Sequence, residues 1–209
     1  MVKSLKIVSS PAFPSGEFDI IYADPCWPHY GSKDKDQAAG KHYDLMSMEE
    51  LGALPVRALA AKRSVLFMWT TGNHLLNAAE LMKAWGFTYR NIGFTWVKTR
   101  NKDGRVIGGQ GARPSIVKQM TELVLVGSTV PRGRPLPLRN EGVHQVLEEP
   151  EEIEETVYSP RPGNIHSRKP AEVRARIESL FMPDVRRIEL FSRERTPGWT
   201  VWGNQLPDM

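Results

Sequence analysis

Hydrophobic positions fall into short runs separated by polar stretches, and two periodicities alternate along the chain. Phe18–Ala23, Val65–Trp69, Phe87–Lys98, Glu122–Gly127, Arg187–Phe191 and Trp199–Gly203 are apolar or alternating runs of strand length. Between them lie helical patterns. Ser47, Met48, Glu49 and Glu50 form a capping box that opens a short helix to about Leu54. Asn73–Trp85 reads as a helix in which Leu75, Leu76, Ala79, Met82 and Ala84 supply much of an apolar stripe, with Gly86 ending it. Glu172–Phe181 reads as another helix, with Pro170 near its first turn. Strands alternating with helices predict an α/β domain built on a doubly wound, mostly parallel sheet with helices on both faces. The whole chain, residues 1–209, reads as one domain.

Three polar segments interrupt this pattern. Residues 28–44 are too hydrophilic for core and read as a loop beside the site. Residues 99–115 are rich in Gly and Arg; their Gly108-Gly109-Gln110-Gly111 lacks the spacing and the strand-then-helix context of a dinucleotide fingerprint. Residues 131–160 read as a long irregular excursion that contains an acidic, solvated segment.

Charge sharpens the picture. The net charge is +4, yet residues 141–155 contain seven of the chain's 24 acidic residues and no Lys or Arg. The rest is therefore far more basic than the total suggests, and residues 98–139 carry nine basic residues against Asp103 and Glu122. A field of that kind suits a polyanion such as nucleic acid, although a solvated surface has the same composition. The lone cysteine, Cys26, leaves no internal disulfide and no cysteine-based zinc site, and a cytoplasmic setting is expected. No apolar stretch reaches the roughly 20 residues of a membrane span.

The chemistry concentrates at Asp24-Pro25-Cys26-Trp27, directly after the first strand. Open α/β sheets bind ligands at the carboxyl ends of their strands. A carboxylate and the Pro25 carbonyl can both accept hydrogen bonds from an exocyclic NH2, and an indole can stack on a planar base. That combination points to methylation of an amino group on adenine or cytosine. A plain turn, with Asp24 capping backbone and Trp27 filling core, is the bland alternative. A second set lies near the C-terminus: Lys169 before a helix, where it could meet an anionic group; Glu189 near a strand end, where an acid can take ribose hydroxyls; and Asn204-Gln205 after the last strand. Taken singly, these could equally be a solvated lysine, an ion-paired acid and a turn residue.

Together, Ala23-Asp24-Pro25-Cys26-Trp27 and the block from Ser167-Arg168-Lys169-Pro170 through Arg187-Ile188-Glu189-Leu190-Phe191-Ser192-Arg193 to Trp202-Gly203-Asn204-Gln205-Leu206 resemble the MT-A70-like adenine-N6 methyltransferases, particularly their short prokaryotic and phage members. The resemblance covers most of residues 17–206. It implies a Rossmann-like S-adenosylmethionine-dependent fold with permuted motif order, the catalytic element first and the cofactor-side strand last. It implies that Lys169 holds the methionine carboxylate of the cofactor, that Glu189, Arg193, Asn204 and Gln205 surround its ribose and adenosine, and that Asp24 lies between cofactor and target amine. Where the family often has an Asp-Ile pair upstream, this chain has Lys6-Ile7, so only a backbone contact from Ile7 is expected. Cys26 stands where the second proline is usual. The catalytic set expected is Asp24, Pro25 and Trp27; Cys26, Trp27, Tyr30, Lys98 and Arg113 are expected on the substrate side, with stacking on Trp27 and Tyr30. No metal is called for.

The implied reaction is methyl transfer to N6 of adenine in DNA. The same reaction on RNA is the main alternative, and a non-catalytic nucleic-acid-binding scaffold of the same fold is another. A cytosine-amine enzyme commonly shows Ser and Tyr where this chain has Asp24 and Trp27. Oligomeric state is left open by the sequence.

Overall fold

The computed structural model describes residues 11–28, 45–100, 105–106, 117, 119, 121–151 and 169–206. Among them seven strands form one sheet: β1 (Phe18–Ala23), β2 (Ala60–Thr71), β3 (Thr88–Arg100), β4 (Thr121–Ser128), β5 (Val146–Glu151), β6 (Arg187–Leu190) and β7 (Thr200–Trp202), in the spatial order β5-β3-β4-β2-β1-β6-β7. The pairs β1–β2, β1–β6, β6–β7 and β3–β5 are parallel, whereas β4 is antiparallel to both β2 and β3. One reversed strand thus sits inside an otherwise unidirectional sheet, and the expectation of a mostly parallel α/β sheet holds.

The two-residue period of the strands sorts the core into two layers. Ile21, Ala23, Leu66, Met68, Leu125, Ile188 and Leu190 face one side, where they pack with residues of α1 (Met48–Ala53), α2 (Val56–Leu59) and α3 (Leu75–Ala84). Ile20, Tyr22, Val65, Phe67, Trp69 and Val124 face the other, against Val173, Ile177 and Phe181 of α4 (Ala171–Leu180) and its end. Helices therefore cover both faces, as the alternation of patterns predicts. The capping box is present: the Glu50 amide donates to Ser47 Oγ at 3.1 Å and the Ser47 amide to Glu50 at 2.7 Å.

Three local expectations change. In α3 the buried positions are Ala78, Leu81 and Met82, followed by Trp85 just beyond the helix, while Leu76 is 77% exposed. The spacing 78-81-82-85 is a single helical stripe; Leu75, Leu76, Ala79 and Ala84 lie outside it. The expected irregular excursion over 131–160 contains a strand, because Val146–Glu151 pairs in parallel along Thr95–Arg100 at the edge of the sheet. The strand beginning at Arg187 stops at Leu190, because Phe191 turns into the left-handed region with φ 63°. No helix among the described residues is long and apolar enough to cross a membrane.

At the sheet edge beyond β6 and β7 two chain segments nearly touch. The Ser192 amide donates to the Trp202 carbonyl at 2.9 Å, and a Cβ added to Gly203 would collide with the Ser192 backbone. Gly203→Ala is therefore expected to destabilise the fold by about 1–3 kcal/mol, the usual cost of overpacking, read as a lowered Tm in thermal unfolding; an unchanged Tm would show that the two segments move apart freely.

Candidate active site

The carboxyl ends of β1, β2, β3, β6 and β7 share one edge of the sheet, and so does the start of the reversed strand β4. Asp24 follows β1 immediately, and its amide lies 3.5 Å from the Leu190 carbonyl at the end of β6. In the β4 registers Glu122 lies opposite Thr71 of β2 and Trp96 of β3. Lys169 precedes α4, whose N-cap is Pro170.

These three residues meet. Lys169 Nζ lies 3.1 Å from Asp24 Oδ2 and 3.1 Å from Glu122 Oε2. Glu122 Oε1 also pairs with Lys98 Nζ at 2.9 Å. Lys169 sits 5.4 Å over the Trp69 ring, and Lys98 lies 4.9 Å over that of Trp96. The result is a recessed cluster of two cations and two carboxylates. Burial pushes the Asp24 carboxyl above its ordinary range, opposed by Lys169 and reinforced by Glu122. Glu122 is also desolvated, but two lysines outweigh this and hold it at about 2. Lys169 stays charged: burial disfavours the cation, yet the two carboxylates raise its pKa well above the usual lysine range.

Beside the cluster is a cavity lined by Asp24, Pro25, Cys26, Phe191, Arg193, Asn204 and Gln205. Cys26, expected on the substrate side, thus lies with the residues expected around the cofactor. The backbone of this element is committed: Trp27 N–H donates to the Pro25 carbonyl at 2.8 Å, and Met46 N–H to the Cys26 carbonyl at 3.0 Å. A carbonyl oxygen has a second lone pair, so Pro25 can still accept another hydrogen bond.

Trp27 is held on two sides. Its Nε1 donates to the Trp69 carbonyl at 3.2 Å, and its ring stacks on His74 with centroids 5.5 Å apart and planes 13° apart. Burial lowers the His74 pKa, which keeps the imidazole neutral at pH 7. Glu189 is not among the cavity-lining residues. Arg174 of α4 holds it, with Nη2 at 3.2 and 2.9 Å from its two oxygens. Lys98 is drawn into the charge cluster by Glu122. Ile7, Tyr30 and Arg113 lie outside the described residues.

The sequence reading missed Glu122, His74 and Arg174 as parts of the site. Glu122 had one usable signal, an acid at the start of an apolar strand; reading it needs β4 to run backwards, which brings a strand start to the ligand edge. His74 and Arg174 are polar residues in helical segments, with no local pattern that sets them apart.

Comparison with known proteins identifies the family. The MT-A70 family matches residues 18–205. The chain is 31% identical to the type II methyltransferase M.MunI of Mycoplasma sp over 216 residues, covering 95% of this chain and 82% of that protein. It is 32% identical to the human N(6)-adenine-specific methyltransferase METTL4 over 196 residues, covering 90% of this chain but 37% of METTL4. It is 27% identical to the N6-methyladenosine RNA methyltransferase MTA1 of Cryphonectria parasitica over 195 residues, covering 90% of this chain and 52% of that protein. With residues 18–205 matched by the family and 95% of its length covered by M.MunI, the chain belongs to the MT-A70 family.

Proposed function

We propose that this protein methylates N6 of adenine in DNA, with Asp24 as the residue that receives the target amine. Membership in the MT-A70 family makes it an S-adenosylmethionine-dependent adenine-N6 methyltransferase. The observation that carries the assignment of Asp24 is its place between a polar cavity and a charge-balanced cluster. The cavity suits the cofactor: Arg193, Asn204 and Gln205 offer donors and acceptors for hydroxyl and purine groups, and Phe191 offers an apolar wall. Lys169, within reach of Asp24, would take the carboxylate. When bound, S-adenosylmethionine supplies an electrophilic methyl group.

The chain's own residues do the rest. The adenine amine is a weak nucleophile because its lone pair is delocalised into the ring. Asp24 and the Pro25 carbonyl accept its two hydrogens and fix the direction of the lone pair, positioning of a kind that can be worth several kcal/mol. Positive charge then develops on nitrogen beside the Asp24 carboxylate, which stabilises it until one of the amine protons leaves to solvent and gives the neutral methylated amine. Lys169 and Glu122 set how strongly that carboxylate is held. The indole face of Trp27 opposite His74 is where the extruded base would stack; flipping costs a few kcal/mol in a duplex. DNA is favoured over RNA by the match to most of the length of a type II methyltransferase, whereas the relative named for RNA is much longer than this chain.

Labelled methyl donor incubated with duplex DNA or RNA, followed by nucleoside analysis, is expected to yield N6-methyladenine in DNA. Label confined to RNA would overturn the substrate and keep the chemistry. Asp24→Asn is expected to reduce transfer at least 100- to 1000-fold, the scale of losing a group that stabilises charge in the transition state. In a profile of rate against pH, the acid limb is expected above the ordinary aspartate range, because burial raises the Asp24 pKa and protonation removes its charge.

The two acids are expected to part ways in stability. Burial disfavours ionised Asp24, so Asp24→Asn, which relieves that cost but leaves Lys169 to Glu122 alone, is expected to lower Tm less than Glu122→Gln does. The fold favours ionised Glu122: its contribution is complete above the usual value of 4.5 and fades as pH falls toward about 2. Glu122→Gln should therefore lower Tm at pH 7, with the deficit shrinking on acidification; a deficit that stays constant with pH would refute the electrostatic account.

A further inference from the structure

Arg174 is a buried-side cation that the methyl-transfer scheme does not use. It projects from α4 on the same face as Tyr22 and Trp199. Nη2 contacts both oxygens of Glu189 in β6, and Nη1 lies 3.4 Å from Glu194 Oε1 in the turn that follows. Between those two acids the chain passes through Leu190, the left-handed Phe191, Ser192 and Arg193. Phe191 and Arg193 line the cavity. Two devices thus hold this stretch: the Ser192–Trp202 backbone hydrogen bond on one side, and Arg174 tying its two ends together on the other. A left-handed non-glycine residue is strained and persists only where its surroundings enforce it.

We propose that Arg174 is a positioning residue for cofactor binding: by bridging Glu189 and Glu194 it fixes the cavity wall that carries Phe191 and Arg193. The inference rests on reading that cavity as the cofactor site. The charged and titratable groups facing Glu189 are Arg174 from α4, Glu194 from the turn, Tyr22 from β1 and Asp24 just after it; its register partner on β7 is the apolar Val201. Burial, Glu194 and Asp24 all raise the Glu189 pKa, and Arg174 opposes them. Without the guanidinium, Glu189 takes up a proton at higher pH, so the charge next to the Phe191–Arg193 wall changes at higher pH. A planar, two-armed cation suits this bridge better than an ammonium.

The test is calorimetric titration of S-adenosylhomocysteine into the full chain across pH 5 to 8, with Arg174→Ala, Arg174→Lys and Glu194→Gln beside the wild type. Arg174→Ala is expected to weaken binding at least tenfold at pH 7, Arg174→Lys less, and Glu194→Gln least, because it leaves the Glu189 pair intact. The pH at which affinity falls should be higher in Arg174→Ala than in the wild type. Wild-type binding that Arg174→Ala retains, or loses only in step with a fall in Tm and with an unmoved pH profile, overturns the inference alone. Failure of the wild type to bind overturns the cofactor reading and this inference with it.

Discussion

Lys169 is the residue on which the site turns. A cation withdrawn from water must be matched by anions, and here the matching pair comes from two distant parts of the chain, Asp24 after β1 and Glu122 at the start of β4. Either acid alone would leave the group differently poised. Glu122 is shared between Lys98 and Lys169 and is strongly held as an anion, so the charge balance of the cluster is completed by Asp24. Asp24 is the less firmly ionised partner, and it is the one that lines the cavity. Buried ion pairs often add little net stability, and their retention is better explained by what they position.

That arrangement depends on the reversed strand. Were β4 parallel to its neighbours, Thr121 and Glu122 would lie at the opposite edge, some eight residues of strand away from Asp24, or roughly 25 Å at strand rise. Reversal places the first residues of β4 between the ends of β2 and β3, and an acid there reaches the same edge as Asp24. A single antiparallel insertion therefore supplies the anion that lets Lys169 be buried.

Much of this was legible in the sequence because strand and helix periods differ. The strands, the capping box and the layer order follow from which positions are apolar. Asp24 and Lys169 stand out because each occupies the boundary of a patterned element, and Asn204 and Gln205 because they follow a strand rich in tryptophan. What was not legible depends on pairing. The direction of β4, the strand at Val146–Glu151 and the stack of His74 on Trp27 arise from contacts between segments far apart in sequence, and no local period encodes them. The stripe of α3 was misplaced by a related cause: exposed Leu76 is as apolar as the buried Leu81, and only the direction of the helix relative to the sheet separates them.

The strand order also explains why the transferred group would meet its acceptor at Asp24 rather than elsewhere along the edge. From β1 the chain reaches β2 by way of helices on one face of the sheet, and β6 is reached through α4 on the other. A sheet that winds in opposite senses from one strand opens a crevice at that strand's carboxyl end. On the β6–β7 side of the crevice lie Arg193, Asn204 and Gln205; on the β2–β4 side lie Trp27 against His74, and Glu122 with Lys98. A ligand bound on one side and a base bound on the other have a single boundary in common, and the side chain standing on that boundary is Asp24. Asp24 lines the cavity and pairs with Lys169, so on the proposed reading the position that β1 gives it, more than any special reactivity, would let the two halves of the site act on each other there.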